Sequence, residues 1–243
     1  PDYYRDRIWD AEVEETALGT TITFGLHSPD GDQGYPGNAD ITVSYTLTPD
    51  NCLKLDYHMV SDADTIANFT NHVYFNLGGY KSGSALDQKV WIDADYFTAT
   101  DANSIPTGKL VAVKGTPMDF TEMKPIGRDI QEDYQALKYG NGYDHNWALN
   151  HPAGELSLSA KAEDEKTGRT MEVYTDLPGV QFYTANSLKT EHGKNHAVYT
   201  PRCGYCFETQ YFPDAINQPE FASPVIKAGE EYKTTTIYKF GVK

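Results

Sequence analysis

Three short stretches of the 243-residue sequence concentrate side chains that can transfer protons or bind polar ligands. In the first, residues 70–77, His72 lies among threonine, asparagine and aromatic residues directly before the Gly78-Gly79 turn. Proteins hold sugars and similar small polar ligands in aromatic-lined pockets with a few fixed polar groups. The composition of this stretch predicts such a pocket around His72, with a histidine that has only structural hydrogen bonds as the alternative.

The other two stretches are residues 142–147, which contain Asp144, and residues 204–210, which contain Glu208. Glu208 lies between a phenylalanine and a threonine in a segment that otherwise has the composition of a buried strand. Burial of a carboxylate is costly unless it is paired, and desolvation raises its pKa toward the range of a general base. Glu208 is therefore a candidate base, and an ordinary glutamate at a strand end is the alternative.

The three cysteines, Cys52, Cys203 and Cys206, predict neither a disulfide framework nor a metal site. Cys203 and Cys206 form a C-x-x-C pattern, but no second pair accompanies it and no helix start follows it. On a strand, residues three apart point to opposite faces, so these two are expected to be small strand residues. This usage favours a reducing compartment, and we expect the cytoplasm.

Alternation of apolar and polar residues dominates the rest of the chain, as expected when successive strand side chains point to opposite faces of a sheet. It predicts hairpins over residues 41–59 and 156–175, and further strands at residues 20–24, 90–92, 146–149, 181–184, 205–209 and 235–240.

One short helix is expected over residues 121–138, limited by Pro125 and Gly127. Neither a repeat nor a linker divides the sequence. The predicted fold is all-β, a single domain over residues 1–243 built as a large antiparallel β-sandwich.

The charge balance and the distribution of apolar residues each exclude one class of partner. With 35 acidic against 20 basic residues, the formal net charge is −15, which repels a nucleic-acid backbone. No run approaches the roughly 18 apolar residues that a membrane-spanning helix needs. We therefore expect no nucleic-acid partner and no membrane partner.

Taken together and in order, the three stretches resemble motifs of the aldose 1-epimerase (galactose mutarotase) family. Further matching segments extend the resemblance over nearly the whole chain. They are residues 28–37 (SPDGDQGYPG), 105–108 (IPTG), 178–184 (PGVQFYT), 208–210 (ETQ) with 213–215 (PDA), and 228–232 (AGEEY).

The resemblance implies a galactose mutarotase-like supersandwich that interconverts the α and β anomers of free hexoses such as galactose and glucose, without metal or cofactor. The general acid of the family's N-H-x-Y-F-N-L motif falls on His72, and the general base of its E-T-Q motif falls on Glu208. Its sugar-binding aspartate and glutamine fall on Asp144 and Gln181. Opposite charges should support an ionised Glu208 and a protonated His72 in the resting enzyme.

The family pattern also includes an early arginine in an N-R-[IV]-like motif and a sugar-binding histidine in an L-H-G-G-like motif. Neither motif occurs in these 243 residues, so the sequence resembles a member shortened at its N-terminus. We expect weaker sugar affinity, and open sheet edges that a separate N-terminal segment or a second copy of the chain would cover. The alternatives to an enzyme of free hexoses are a non-catalytic sugar-binding module and a hexose 6-phosphate 1-epimerase.

Overall fold

The computed structural model describes residues 3–243, so the first two residues of the predicted domain lie outside the described residues. The described chain is nearly all β, which confirms the predicted fold class. Its strands are β1 (Asp10–Thr16), β2 (Gly19–Ser28), β3 (Ala39–Leu47), β4 (Cys52–Ser61), β5 (Thr65–Ile66), β6 (Lys89–Ile92), β7 (Tyr96–Thr100), β8 (Pro106–Ala112), β9 (Lys124–Pro125), β10 (Asp144–Ala148), β11 (Ser157–Glu163), β12 (Arg169–Thr175), β13 (Gly179–Tyr183), β14 (Cys206–Gln210), β15 (Val225–Ile226) and β16 (Glu231–Val242).

These strands form two main antiparallel sheets. The larger has nine strands in the order β1-β2-β3-β4-β16-β12-β11-β6-β9, and the smaller has five in the order β14-β13-β10-β7-β8. Strands β5 and β15 pair separately. Both predicted hairpins are present, as β3-β4 and β11-β12. In the first, the turn residue Asn51 has a φ of 65°, a left-handed conformation that asparagine tolerates better than most residues.

One hydrophobic core lies between the sheets. The larger sheet contributes residues such as Leu55 and Val173, and the smaller contributes Trp147, Phe182 and Phe207, which are fully buried. Two further contacts join the sheets directly. Thr209 Oγ1 lies 2.6 Å from Thr236 Oγ1, and the Tyr238 hydroxyl donates to the Phe207 carbonyl at 2.9 Å. The strand that contains Glu208 is therefore fixed to the sheet behind it.

The predicted helix over residues 121–138 is wrong for most of its length. The α-helix of the described chain is α1 (Gln135–Gly140), and four single 3₁₀ turns occur at Tyr4–Asp6, Asp32–Gly34, Lys194–His196 and Ala215–Asn217. Before α1, β9 pairs with β6, and the amide nitrogens of Ile126 and Gly127 donate to the carbonyls of Gln88 and Leu86 at 2.9 and 2.8 Å. Tertiary pairing of the backbone replaces the helix there.

Both sheets have open edges within the described chain. Strand β1 is at one end of the nine-stranded sheet, with Val13 64% exposed, and Ile8 just before it is 96% exposed. Strand β14 is at one end of the five-stranded sheet. Within residues 3–243, no helix is long and apolar enough to cross a bilayer. The division of the chain into domains stays a prediction.

Candidate active site

Three neighbouring strands of the smaller sheet place polar side chains on one of its faces. Glu208 on β14 pairs with Gln181 on β13, and Gln181 pairs with Asn146 on β10. Two pairs further along, Cys206 is opposite Tyr183, which is opposite Asp144. Residues two apart on a strand share a face, so these side chains point the same way, away from the aromatic core that Phe207 and Phe182 enter.

His72 reaches this face from a segment without regular secondary structure. Phe75 forms an isolated bridge with Tyr205, with N–O distances of 2.8 and 3.0 Å, directly before β14. The side-chain amide of Asn71 contacts the Tyr238 hydroxyl, with 3.0 Å between Oδ1 and the hydroxyl oxygen. Asn76 donates to the Cys203 carbonyl at 2.8 Å. The two asparagines that flank His72 in its motif therefore hold this segment in place.

The four residues predicted from the sequence meet at one open pocket of about 310 Å³. Two tyrosines, a glutamine and a proline complete its wall. The lining residues are His72, Tyr74, Asp144, Gln181, Tyr183, Glu208, Gln210 and Pro213. The volume suits a single small polar ligand.

His72 and Glu208 face each other in this pocket, with His72 Nε2 3.5 Å from Glu208 Oε1. The Glu208 side chain is 13% exposed and the His72 side chain 50%. Burial, and then the nearby charge of Asp144, raise the pKa of Glu208 to about 7. The expectation of an ionised Glu208 beside a protonated His72 stays a prediction, and burial of the carboxyl group acts against it.

Asp144 and Gln181 form a second polar pair beside the first. Gln181 Nε2 donates to Asp144 Oδ1 at 2.8 Å. Burial raises the pKa of Asp144, and this hydrogen bond partly opposes the shift. Gln181 Oε1 is buried without a partner among the described residues. A buried acceptor without a partner is costly, so this oxygen is suited to receive a hydroxyl of a bound ligand.

Sequence reasoning missed three residues of the site. The rings of Tyr74 and Tyr183 lie 5.0 and 5.7 Å from the His72 ring and wall it on two sides. Cys206, expected to be only a small strand residue, has its Sγ 3.4 Å from His72 Nδ1. Its position two residues before Glu208 was the available signal, since i and i+2 on a strand share a face.

The site has donors that a metal ion can use, but two of them face different nitrogens of one histidine ring. One donor atom each from His72, Cys206 and Glu208 lies within 4.8 Å of the others. The thiol faces Nδ1 of the imidazole, however, and the carboxylate faces Nε2. A metal ion binds a single nitrogen of a histidine, together with the other ligands around one centre. The thiol and the carboxylate instead contact different nitrogens of the ring, which fits a proton-transfer site better than a shared metal centre.

Comparisons with known proteins agree with this geometry. The profile of the family described as aldose 1-epimerase matches residues 3–239. The galactose mutarotase of Homo sapiens is 41% identical over 236 residues, which cover 97% of this chain and 66% of that protein. The aldose 1-epimerase of Escherichia coli is 36% identical over 221 residues, covering 90% of this chain and 63% of that protein.

A solved structure extends the agreement to the fold. The galactose 1-epimerase of Lactobacillus acidophilus superposes with a TM-score of 0.85 at 28% identity, over 98% of this chain and 67% of that one. The two-sheet fold, with its pocket on the face of the smaller sheet, is thus that of the galactose mutarotase-like β-sandwich proteins. Within this class, the chain belongs to the aldose 1-epimerase family. It spans 66% of the length of the human relative.

Proposed function

We propose that this chain is an aldose 1-epimerase, an isomerase that interconverts the α and β anomers of free hexoses such as galactose and glucose. The observation that carries the proposal is the pair of His72 Nε2 and Glu208 Oε1, 3.5 Å apart in one pocket, in a member of this family. Nothing in the site favours a non-catalytic sugar-binding module or a hexose 6-phosphate 1-epimerase.

The chemistry requires two proton transfers at opposite ends of one bond. Glu208, as the carboxylate, takes the proton of the anomeric hydroxyl, while His72, as the imidazolium, gives a proton to the ring oxygen. The bond from the anomeric carbon to the ring oxygen then breaks, which leaves an open aldehyde that can rotate and close on its other face. Each positioned proton donor or acceptor contributes about 10²–10⁴ in rate. After reclosure both groups regain their starting protons, so the scheme uses no cofactor.

Polarimetry of freshly dissolved α-D-galactose and α-D-glucose tests the proposal. An active chain brings the optical rotation to its equilibrium value faster than buffer alone, with saturation at high sugar concentration. A folded chain that binds either sugar but gives no acceleration would instead be a sugar-binding module. A chain active only on hexose 6-phosphates would be the phosphate-dependent relative.

The pH dependence of the reaction should follow the titration of Glu208. Since only the carboxylate can accept a proton, and burial raises its pKa to about 7, the acidic limb of kcat/KM should rise with pH up to about 7. Well below that pKa, each unit of pH should lower kcat/KM about tenfold. The measurement is kcat/KM for α-D-galactose at low sugar concentration between pH 5 and 8. A profile flat across this range would contradict the assignment of Glu208 as the base.

Gln181 should act on sugar binding more than on chemistry. In Gln181→Leu, a ligand hydroxyl that would donate to Gln181 Oε1 loses its acceptor. Asp144 also loses the Nε2 donor that lies 2.8 Å from it. We expect KM to rise about fivefold, with a smaller change in kcat, because a lost hydrogen bond is worth about 1 kcal/mol. Steady-state polarimetry separates the two constants. Gln131→Leu, at an exposed position outside the pocket, is the control, and an unchanged KM in Gln181→Leu would remove Gln181 from the binding site.

The open sheet edges suggest that this chain associates with a further polypeptide. We propose that the edges at β1 and β14 are covered by a separate N-terminal segment or by a second copy of the chain, because unpaired strand edges and exposed apolar side chains such as Ile8 favour association. Sedimentation velocity across a concentration series distinguishes self-association from a monomer.

A further inference from the structure

The thiol of Cys206 lies beside the proposed acid and base. Cys206 and Glu208 project from the same face of β14, and each contacts a different nitrogen of the His72 ring. Cys206 Sγ is 3.4 Å from Nδ1, and Glu208 Oε1 is 3.5 Å from Nε2. Among the described residues, the thiol is the hydrogen-bond partner that the structure gives to Nδ1.

We infer that Cys206 is a positioning residue for the proposed reaction: its sulfur accepts the Nδ1 hydrogen of His72 in both protonation states of the ring, so that proton exchange occurs only at Nε2. The inference rests on the proposed function for its catalytic consequence. The contact itself, and the tautomer that it selects, are properties of the resting protein.

The surroundings of the thiol suit this role. Cys206 is fully buried, and burial, followed by the charges of Glu208 and Asp144, raises the pKa of its thiol. The sulfur therefore stays a neutral thiol and orients the ring without adding a charge next to it. A neutral thiol is a weak acceptor, but its sulfur is at hydrogen-bond distance from Nδ1, whereas Glu208 Oε1, at 3.5 Å from Nε2, is beyond a normal N–H···O distance.

The remaining faces of the ring leave Nε2 as the reacting atom. Tyr74 and Tyr183 pack against the ring at centroid distances of 5.0 and 5.7 Å. Asp144 is close enough to influence the site electrostatically, but its carboxylate is paired with Gln181. With Nδ1 held by the thiol and the ring faces walled by tyrosines, the imidazole keeps Nε2 directed toward Glu208 and the ligand space.

Three replacements of Cys206 separate hydrogen bonding from packing. Cys206→Ser keeps an acceptor, Cys206→Val keeps the bulk without an acceptor, and Cys206→Ala removes both. For Val and Ala we expect kcat for α-D-galactose to fall about tenfold, which corresponds to the loss of one hydrogen bond, with KM within about twofold of wild type. The Ser variant should stay within about threefold of wild type. Cys203→Ala is the matched control, because Cys203 lies outside this pocket.

Nitrogen-15 NMR of the histidine side chains tests the contact without turnover. In the wild type, the Ser variant and the Cys203→Ala control, neutral His72 should carry its proton on Nδ1. In the Val and Ala variants, the proton should move to Nε2, where it can donate to Glu208. The inference is overturned if the Val variant keeps the wild-type tautomer, or if Ser loses as much kcat as Val, which would mark Cys206 as a packing residue. A wild-type chain without turnover would defeat the proposed function alone, since the tautomer assignment stands apart from it.

Discussion

Glu208→Gln should lower kcat for anomer exchange about 10³-fold, within the range that a positioned proton acceptor contributes. The amide has nearly the shape of the carboxylate but cannot take the proton of the anomeric hydroxyl. Steady-state polarimetry with α-D-galactose measures the loss. Glu220→Gln, at an exposed glutamate outside the pocket, is the matched control and should keep wild-type kcat. If Glu208→Gln retained more than a tenth of wild-type kcat, another group would be the base.

The same replacement should stabilise the fold above pH 7. The pKa of Glu208 is raised from 4.5 to about 7 in the folded state, so the folded protein holds this proton more tightly than the unfolded chain. The free energy of unfolding therefore falls as pH rises from 4.5 through about 7, with an upper limit near 3 kcal/mol at about 1.4 kcal/mol per pKa unit. Glutamine carries no charge to desolvate and escapes this loss. Melting temperatures of the two proteins should differ at pH 8 and converge below pH 4.5, and equal values at pH 8 would contradict a destabilising Glu208 carboxylate.

His72→Ala should lower kcat about 10²–10³-fold, because the ring oxygen loses its proton donor while Glu208 remains. The half-exposed position of His72 offers a sharper test, since the vacated space opens on the pocket. Imidazole added to the buffer should restore part of the activity of His72→Ala and none of that of Glu208→Gln. His151→Ala, a histidine outside this pocket, is the control. Wild-type kcat in His72→Ala would exclude His72 as the acid.

Alternation along the chain predicted the strands well, because it reports which face of a strand is buried. The hairpins β3-β4 and β11-β12, and the strand that contains Glu208, are at the predicted places. The helix over residues 121–138 failed because the chain there pairs with residues 86–90, a contact that no local pattern contains. Local helix propensity does not determine the structure where distant backbone groups supply the hydrogen bonds.

The residues of the site also divide into those that the sequence predicted and those that it did not. The resemblance to a known family placed His72, Glu208, Asp144 and Gln181, and the structure brings these four together. It gave no sign of Cys206, whose contact with His72 joins residues 134 positions apart. The effect of burial on the Glu208 carboxyl group was not predicted, for a related reason. Residue types suggested its attraction to a neighbouring cation, whereas its burial and the proximity of Asp144 depend on the three-dimensional arrangement.

Side chains of β14 alternate between the pocket and the core. The strand should therefore tolerate a change in its length less well than a substitution. Cys206 and Glu208 face the pocket, while Phe207 between them is fully buried in the aromatic core. Deleting or inserting one residue in this strand would exchange the two sets, placing a benzyl group in the pocket and a carboxylate among aromatic rings. A single substitution changes one side chain, but a shift of the strand by one residue disrupts the site and the core together. Changes in length should therefore be confined to the connections on either side of the strand.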